Sequence, residues 1–112
     1  MQQVTLNFEL TLDDFTDILD AAGYAIGYWA DEAEPDGDTY TVSCEEATQI
    51  FTVSKRDIEL AMASIAQNRI DVSADICHDV MLAIKEEDCS YIDGYAADAI
   101  IQVACFGEIV YG

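Results

Sequence analysis

No lysine or arginine occurs in the first 54 residues, a stretch that carries 12 aspartates and glutamates; the first base is Lys55. Over the full 112 residues, 4 bases stand against 23 acids, a formal charge of -19. A soluble domain normally stays within about 2–8 charges of neutral, and self-repulsion on the present scale works against a compact state. Such a surface excludes direct binding to nucleic acid and repels anionic lipid. It points instead to a basic partner, a cation or a high-salt environment.

Other scarcities narrow the reading further. There is one proline, and no low-complexity tract or linker interrupts the chain. No run of about 20 apolar residues, the length needed to cross a bilayer, is present; the longest apolar stretch, Ala96 to Phe106, is interrupted by Asp98 and Gln102. The N-terminal residues lack both the basic segment and the apolar run of a secretory leader, so a cytoplasmic location is expected. The four cysteines, Cys44, Cys77, Cys89 and Cys105, have spacings of 33, 12 and 16 and form no short chelating pair. Cys77 and Cys105 fall on apolar helix faces and read as small core residues. The sole histidine, His78, reads as a structural residue beside an apolar helix face. No glycine-rich phosphate loop and no nucleophile–base motif is present, so no catalytic residue, cofactor or metal ligand is assigned and an enzyme is not expected.

What is present is enough to fold. Hydrophobic residues make up 52% of the chain and aromatics 10%, which separates it from charged disordered sequences; its length suits a single domain spanning 1–112. Val4, Leu6, Phe8 and Leu10 alternate as in a half-buried strand. Thr11 with Asp14 opens a helix over 12–22, with Gly23 as its stop. Tyr24 to Ala30 is aromatic and extended in character. Pro35-Asp36-Gly37-Asp38 is a turn, so 24–34 and 39–44 form a hairpin, and 49–53 offers a third strand. Ser54 with Asp57, Ser73, and Ser90 or Asp93 begin three further helices. The third helix of the chain carries Ile76, Cys77, Val80, Met81 and Ile84 as its apolar stripe and ends at the acidic trio Glu86, Glu87 and Asp88. The last, about 95–106, is apolar nearly all round, as in a central buried helix; Gly107 ends it, and Ile109, Val110 and Tyr111 form an extended tail. The expected class is α+β, a small antiparallel sheet covered by about four helices in the order β-α-β-β-(β)-α-α-α.

These elements also place the acids. Asp13, Asp17 and Asp20 fall at i, i+4 and i+7 on the first helix, with rises of about 6 and 4.5 Å. Asp31 leads into Glu32, Glu34, Asp36 and Asp38, which recur every second residue at about 6.6 Å per step in extended chain. Asp75, Asp79 and Glu86 repeat the helical pattern on the third helix, with Asp71 just upstream. Duplex DNA presents comparable rows of phosphates to Lys and Arg of its partners. Trp29 beside the acidic turn is a candidate aromatic anchor. Glu32-x-Glu34-x-Asp36-Gly37-Asp38 is also similar to the first half of an EF-hand loop, although Pro35 and Ser43 stand at unsuitable positions and the flanks read as strands. Two other accounts of the acidity stay open, a solubility or salt-tolerance role and a divalent-cation-binding module.

The segments Ala22-Gly-Tyr-Ala-Ile-Gly-Tyr-Trp-Ala30 and Asp98-Ala-Ile-Ile-Gln-Val-Ala-Cys-Phe-Gly-Glu-Ile-Val-Tyr-Gly112 resemble a family of small acidic proteins from phages and mobile elements of Gram-positive, especially actinobacterial, hosts. The resemblance implies a mobile-element origin and a host-cytoplasm location, and it brings no catalytic residues. In size and charge, though not in motif, the chain is similar to phage counter-defence proteins that imitate DNA, including anti-CRISPR and anti-restriction proteins. The sequence therefore predicts a non-catalytic inhibitor whose partner is a basic nucleic-acid-binding protein of the host, a CRISPR effector complex or a restriction enzyme.

Overall fold

Thr11 lies in extended conformation and accepts the Asp14 N–H on its hydroxyl at 3.0 Å, opening helix α1 over Leu12–Ala25. The computed structural model describes residues 9–44 and 48–111. The strand expected from Val4 lies outside the described residues except for its last positions, where Leu10 is buried in non-strand chain. Along α1 the buried residues Phe15, Ile18, Leu19 and Ala22 keep the helical period. Gly23 does not stop the helix; it is an ordinary helical residue with open space beside it. The turn comes at Ile26, whose N–H bonds the Ala22 carbonyl at 2.9 Å. Tyr24 to Ala30 is therefore a helix end and a turn, not an extended segment. The physical reason is burial at helical spacing, since Ala22, Ile26, Trp29 and Ala30 all reach the core while Tyr24 and Tyr28 face outward.

Strands β1 (Glu32–Asp36), β2 (Thr39–Cys44) and β3 (Gln49–Ser54) form an antiparallel sheet in that order. Gly37, at φ +63°, supplies the left-handed residue that the tight β1–β2 turn requires. On β2, Tyr40, Val42 and Cys44 are buried while Thr39, Thr41 and Ser43 alternate toward the other face. Helix α2 (Lys55–Ala66) starts directly from β3 through a reciprocal capping box. The Asp57 N–H donates to Ser54 Oγ at 3.1 Å, and the Ser54 N–H donates to Asp57 Oδ2 at 2.8 Å.

Ser73 caps helix α3 (Ala74–Lys85). Its apolar stripe is only partly used: Val80 and Ala83 are buried, Ile76, Cys77 and Ile84 are half-buried, and Met81 is exposed. The helix is peripheral, so His78 is exposed and not a packed structural residue. Asp93, not Ser90, caps helix α4 (Gly94–Phe106) by accepting the Ala96 N–H at 2.8 Å. As its composition predicts, α4 is the central helix, buried from Ala96 to Val103 except at Asp98, and it packs on α1, α2, α3 and β3. The α+β class holds; among the described residues the order is α-β-β-β-α-α-α, with a 3-10 turn at Cys89–Tyr91 before the last helix. All four thiols are free. Cys105, half-buried and not fully in the core, has its thiol pushed up to about 12 by burial and the nearby Cys44 and Asp57.

Among the described residues, no helix is long and apolar enough to cross a membrane.

Candidate partner-binding surface

The sheet register decides which acids stand together. Glu32 pairs with Ser43 and onward with Ile50, Glu34 with Thr41 and Thr52, and Asp36 with Thr39 and Ser54. Because alternate residues share a face, these three rungs form the surface opposite the buried Tyr40, Val42 and Val53. Glu32, Glu34 and Asp36 are all exposed and make a row with about 6.6 Å per step. Asp38 leaves the row, because it sits in the turn after Gly37, where its carbonyl accepts the Lys55 N–H at 2.9 Å. Asp31 is exposed immediately before the row and its N–H bonds the Ser43 carbonyl at 2.8 Å.

The same register argues against a calcium loop. The carboxylates of Glu32 and Asp36 are carried about 13 Å apart along a strand, where an EF-hand folds its ligands around one ion. Among the described residues, no group of three or more His, Cys, Asp or Glu is arranged to hold a metal ion.

Asp13, Asp17 and Asp20 are exposed along α1 as their spacing predicts. The α1 acids are not isolated from the end of α3. The Cys89 thiol is pushed up to about 12, first by burial and then by the charges of Asp14, Asp17 and Asp88. Residues from both elements thus surround one thiol, and the α1 stripe adjoins the acidic terminus of α3. Farther along, burial, Cys105 and the charge of Asp20 together raise the Tyr40 hydroxyl. Asp75 on α3 and Glu86 at its C-terminal cap are exposed, Asp79 is half-buried, and Asp71 is exposed in the loop before the helix.

Two of the four bases are drawn to a buried carboxylate and not to these rows. Lys55 and Arg56 both bond Glu59, at 2.8 and 3.4 Å. Glu59 is only 3% exposed and also accepts the Leu10 N–H. Burial alone would raise its carboxyl, but the hydrogen bonds from Lys55 and Leu10 and the Lys55 charge, with help from Arg56, bring it below the ordinary carboxylate value.

Trp29 is a correction. It is 5% exposed and cannot act as a surface anchor. Its ring stacks on Tyr111 at 5.5 Å and 3°, and its indole N–H donates to Asp98 Oδ1 at 2.8 Å. Asp98 also accepts from the Tyr28 hydroxyl at 2.6 Å and from Gln102 Nε2 at 3.0 Å. Gln102 in turn accepts the N–H groups of Val110 and Tyr111, both at 2.8 Å, holding the tail against α4. Burial, the Asp98 hydrogen bond and the Asp98 charge push the Tyr28 hydroxyl up to about 12.

This network forms one wall of a feature that the sequence did not disclose, a groove of about 870 Å³ between the end of α1, the start of α4, the loop before α3 and the tail. Tyr24 and Tyr95 on its rim are 96% and 80% exposed. Their surplus of exposed aromatic surface was the available signal, but only the fold brings positions 24, 71 and 95 together.

Comparison with family models, curated proteins and solved structures returns no match.

Proposed function

We propose that this protein is a non-catalytic inhibitor that imitates DNA and occupies the nucleic-acid-binding groove of a basic host defence protein, an anti-CRISPR role standing ahead of an anti-restriction one. The observation that carries this reading is the exposed carboxylate row Glu32, Glu34 and Asp36 on the outer face of the sheet. A strand holds the charges at fixed spacing, so Lys and Arg side chains that normally meet phosphates can meet them in register. Asp31 leads into this row, while the α1 stripe Asp13, Asp17 and Asp20, which adjoins the acidic end of α3, and Asp71, Asp75, Asp79 and Glu86 supply further carboxylates for the same partner. A mobile-element origin and action in the host cytoplasm belong to the same proposal.

The test is capture from a lysate of a host bearing CRISPR and restriction systems, at about 100 mM and about 500 mM salt, with and without competitor duplex DNA. The proposal predicts a nucleic-acid-binding protein that is retained at low salt, weakened at high salt and displaced by DNA. Partners that DNA does not displace contradict it.

A further inference from the structure

We infer that the groove between α1 and α4 is a docking site for an arginine-bearing segment of a protein partner. This goes beyond the carboxylate row, because imitation of phosphates alone has no use for an aromatic groove. Four tyrosines line it: Tyr24 in the last turn of α1, Tyr28 in the turn that follows, Tyr95 in the first turn of α4, and Tyr111 from the tail. Asp71 before α3 and Asp93 at the cap of α4 also line it, and among the described residues no Lys, Arg or His does. Val72 and Ile76 add apolar surface.

The combination selects by charge and by shape. An anionic ligand meets the carboxylates of Asp71, Asp93 and Asp98 and, among the described residues, no cationic side chain. An apolar peptide would cover those carboxylates without compensation, which is unfavourable. A guanidinium satisfies both features, since its plane stacks on a tyrosine face while its N–H fork meets a carboxylate. The inner wall is already set: Asp98 is engaged by Trp29, Tyr28 and Gln102. Those bonds hold the Tyr28 hydroxyl in place; Asp93 already gives Oδ1 to the Ala96 N–H as the cap of α4, so its second oxygen and the Asp71 carboxylate are what the groove offers a ligand. A volume of about 870 Å³ exceeds one side chain and suits a short stretch of polypeptide. The net charge of -19 draws basic chains toward the whole surface, and the groove adds a place where one side chain is recognised.

The experiment is calorimetric titration of the full chain at about 150 mM salt. The probe is a synthetic peptide of alternating glycine and arginine, and its counterparts are the same peptide with citrulline for arginine, and free arginine. The double variant Tyr24→Ala, Tyr95→Ala removes two exposed rings without opening the core, and its melting curve checks the fold. The triple variant Glu32→Gln, Glu34→Gln, Asp36→Asn is the control for bulk charge. The inference expects the arginine peptide to bind, the citrulline peptide and the tyrosine variant to lose about tenfold or more, and the triple variant to lose no more than about threefold. Absence of binding, an unchanged tyrosine variant, or a loss that follows the triple variant instead would overturn it. Free arginine binding as tightly as the peptide would overturn the polypeptide occupant. Since this titration contains no host protein, its failure leaves the DNA-displaceable capture described above standing, and failure of that capture leaves the groove standing.

Discussion

Lys55 and Glu59 meet at 2.8 Å one turn apart on α2, and the pair clasps Leu10 from both sides: the ammonium donates to its carbonyl at 2.9 Å and the carboxylate accepts its N–H at 2.8 Å. The first base in the chain is thus engaged in anchoring the segment that precedes α1, and the acidic surface loses a counter-charge.

Replacing Lys55 with Met leaves the Glu59 carboxylate without its main partner. Breaking a fully buried pair costs about 3–5 kcal/mol; Lys55 is partly exposed, so the expected loss is about 2–3 kcal/mol by denaturant unfolding at neutral pH. The pH dependence gives a sharper signature. The folded Glu59 carboxyl lies below its ordinary value, so its contribution is complete above the ordinary carboxylate range and fades as pH falls through the depressed folded value. In K55M the carboxyl is buried without its lysine, and the sign reverses, with the variant recovering stability relative to the parent as pH falls.

Asp98 gathers three donors, from Trp29, Tyr28 and Gln102. Asp98→Ala leaves the buried indole N–H unsatisfied and costs about 2 kcal/mol, while Asp98→Asn, which keeps an acceptor oxygen, costs about half as much. Trp29 is the only tryptophan, so its emission reports on the change directly, shifting to the red in the alanine variant.

Two helix ends make opposite use of the left-handed region. Gly107 occupies it at φ +79° and Glu87 at φ +52°. Gly107→Ala is expected to destabilise by about 1 kcal/mol, and Glu87→Gly to stabilise by a similar amount, since glycine alone enters this region without strain. Paired thermal melts of the two variants check both signs.

Salt separates a partner-directed acidity from salt adaptation. Screening should raise the melting temperature steeply from about 10 to 300 mM NaCl and then flatten, because the Debye length has by then shrunk below about 6 Å. A fold that forms only in molar salt would assign the acidity to salt tolerance.

Local chemistry made much of this fold legible. Thr11, Ser54, Ser73 and Asp93 each cap a helix through their own side chain, and Gly37 marks the hairpin turn. The segment from Tyr24 to Ala30 misled because aromatic content suggested a strand while the buried positions followed a helical period. Gly23 misled because a glycine stops a helix only where the backbone turns left-handed, and here it does not. The acidic row on β1 was readable from its period of two, but the departure of Asp38 depended on the turn geometry. The pairing of Trp29 with Asp98 and the tyrosine groove join residues about 70 positions apart, beyond the reach of any local pattern.

On the proposed reading, binding rests on one face and not on total charge. Its most direct test compares two variants that remove equal charge, Glu32→Gln, Glu34→Gln, Asp36→Asn on the sheet and Asp75→Asn, Asp79→Asn, Glu86→Gln on α3, in a binding titration against the captured host protein. The account predicts that the sheet variant weakens binding about tenfold or more relative to the α3 variant, as expected when aligned charge pairs are lost from an interface. Equal losses from both would contradict it and leave only bulk charge.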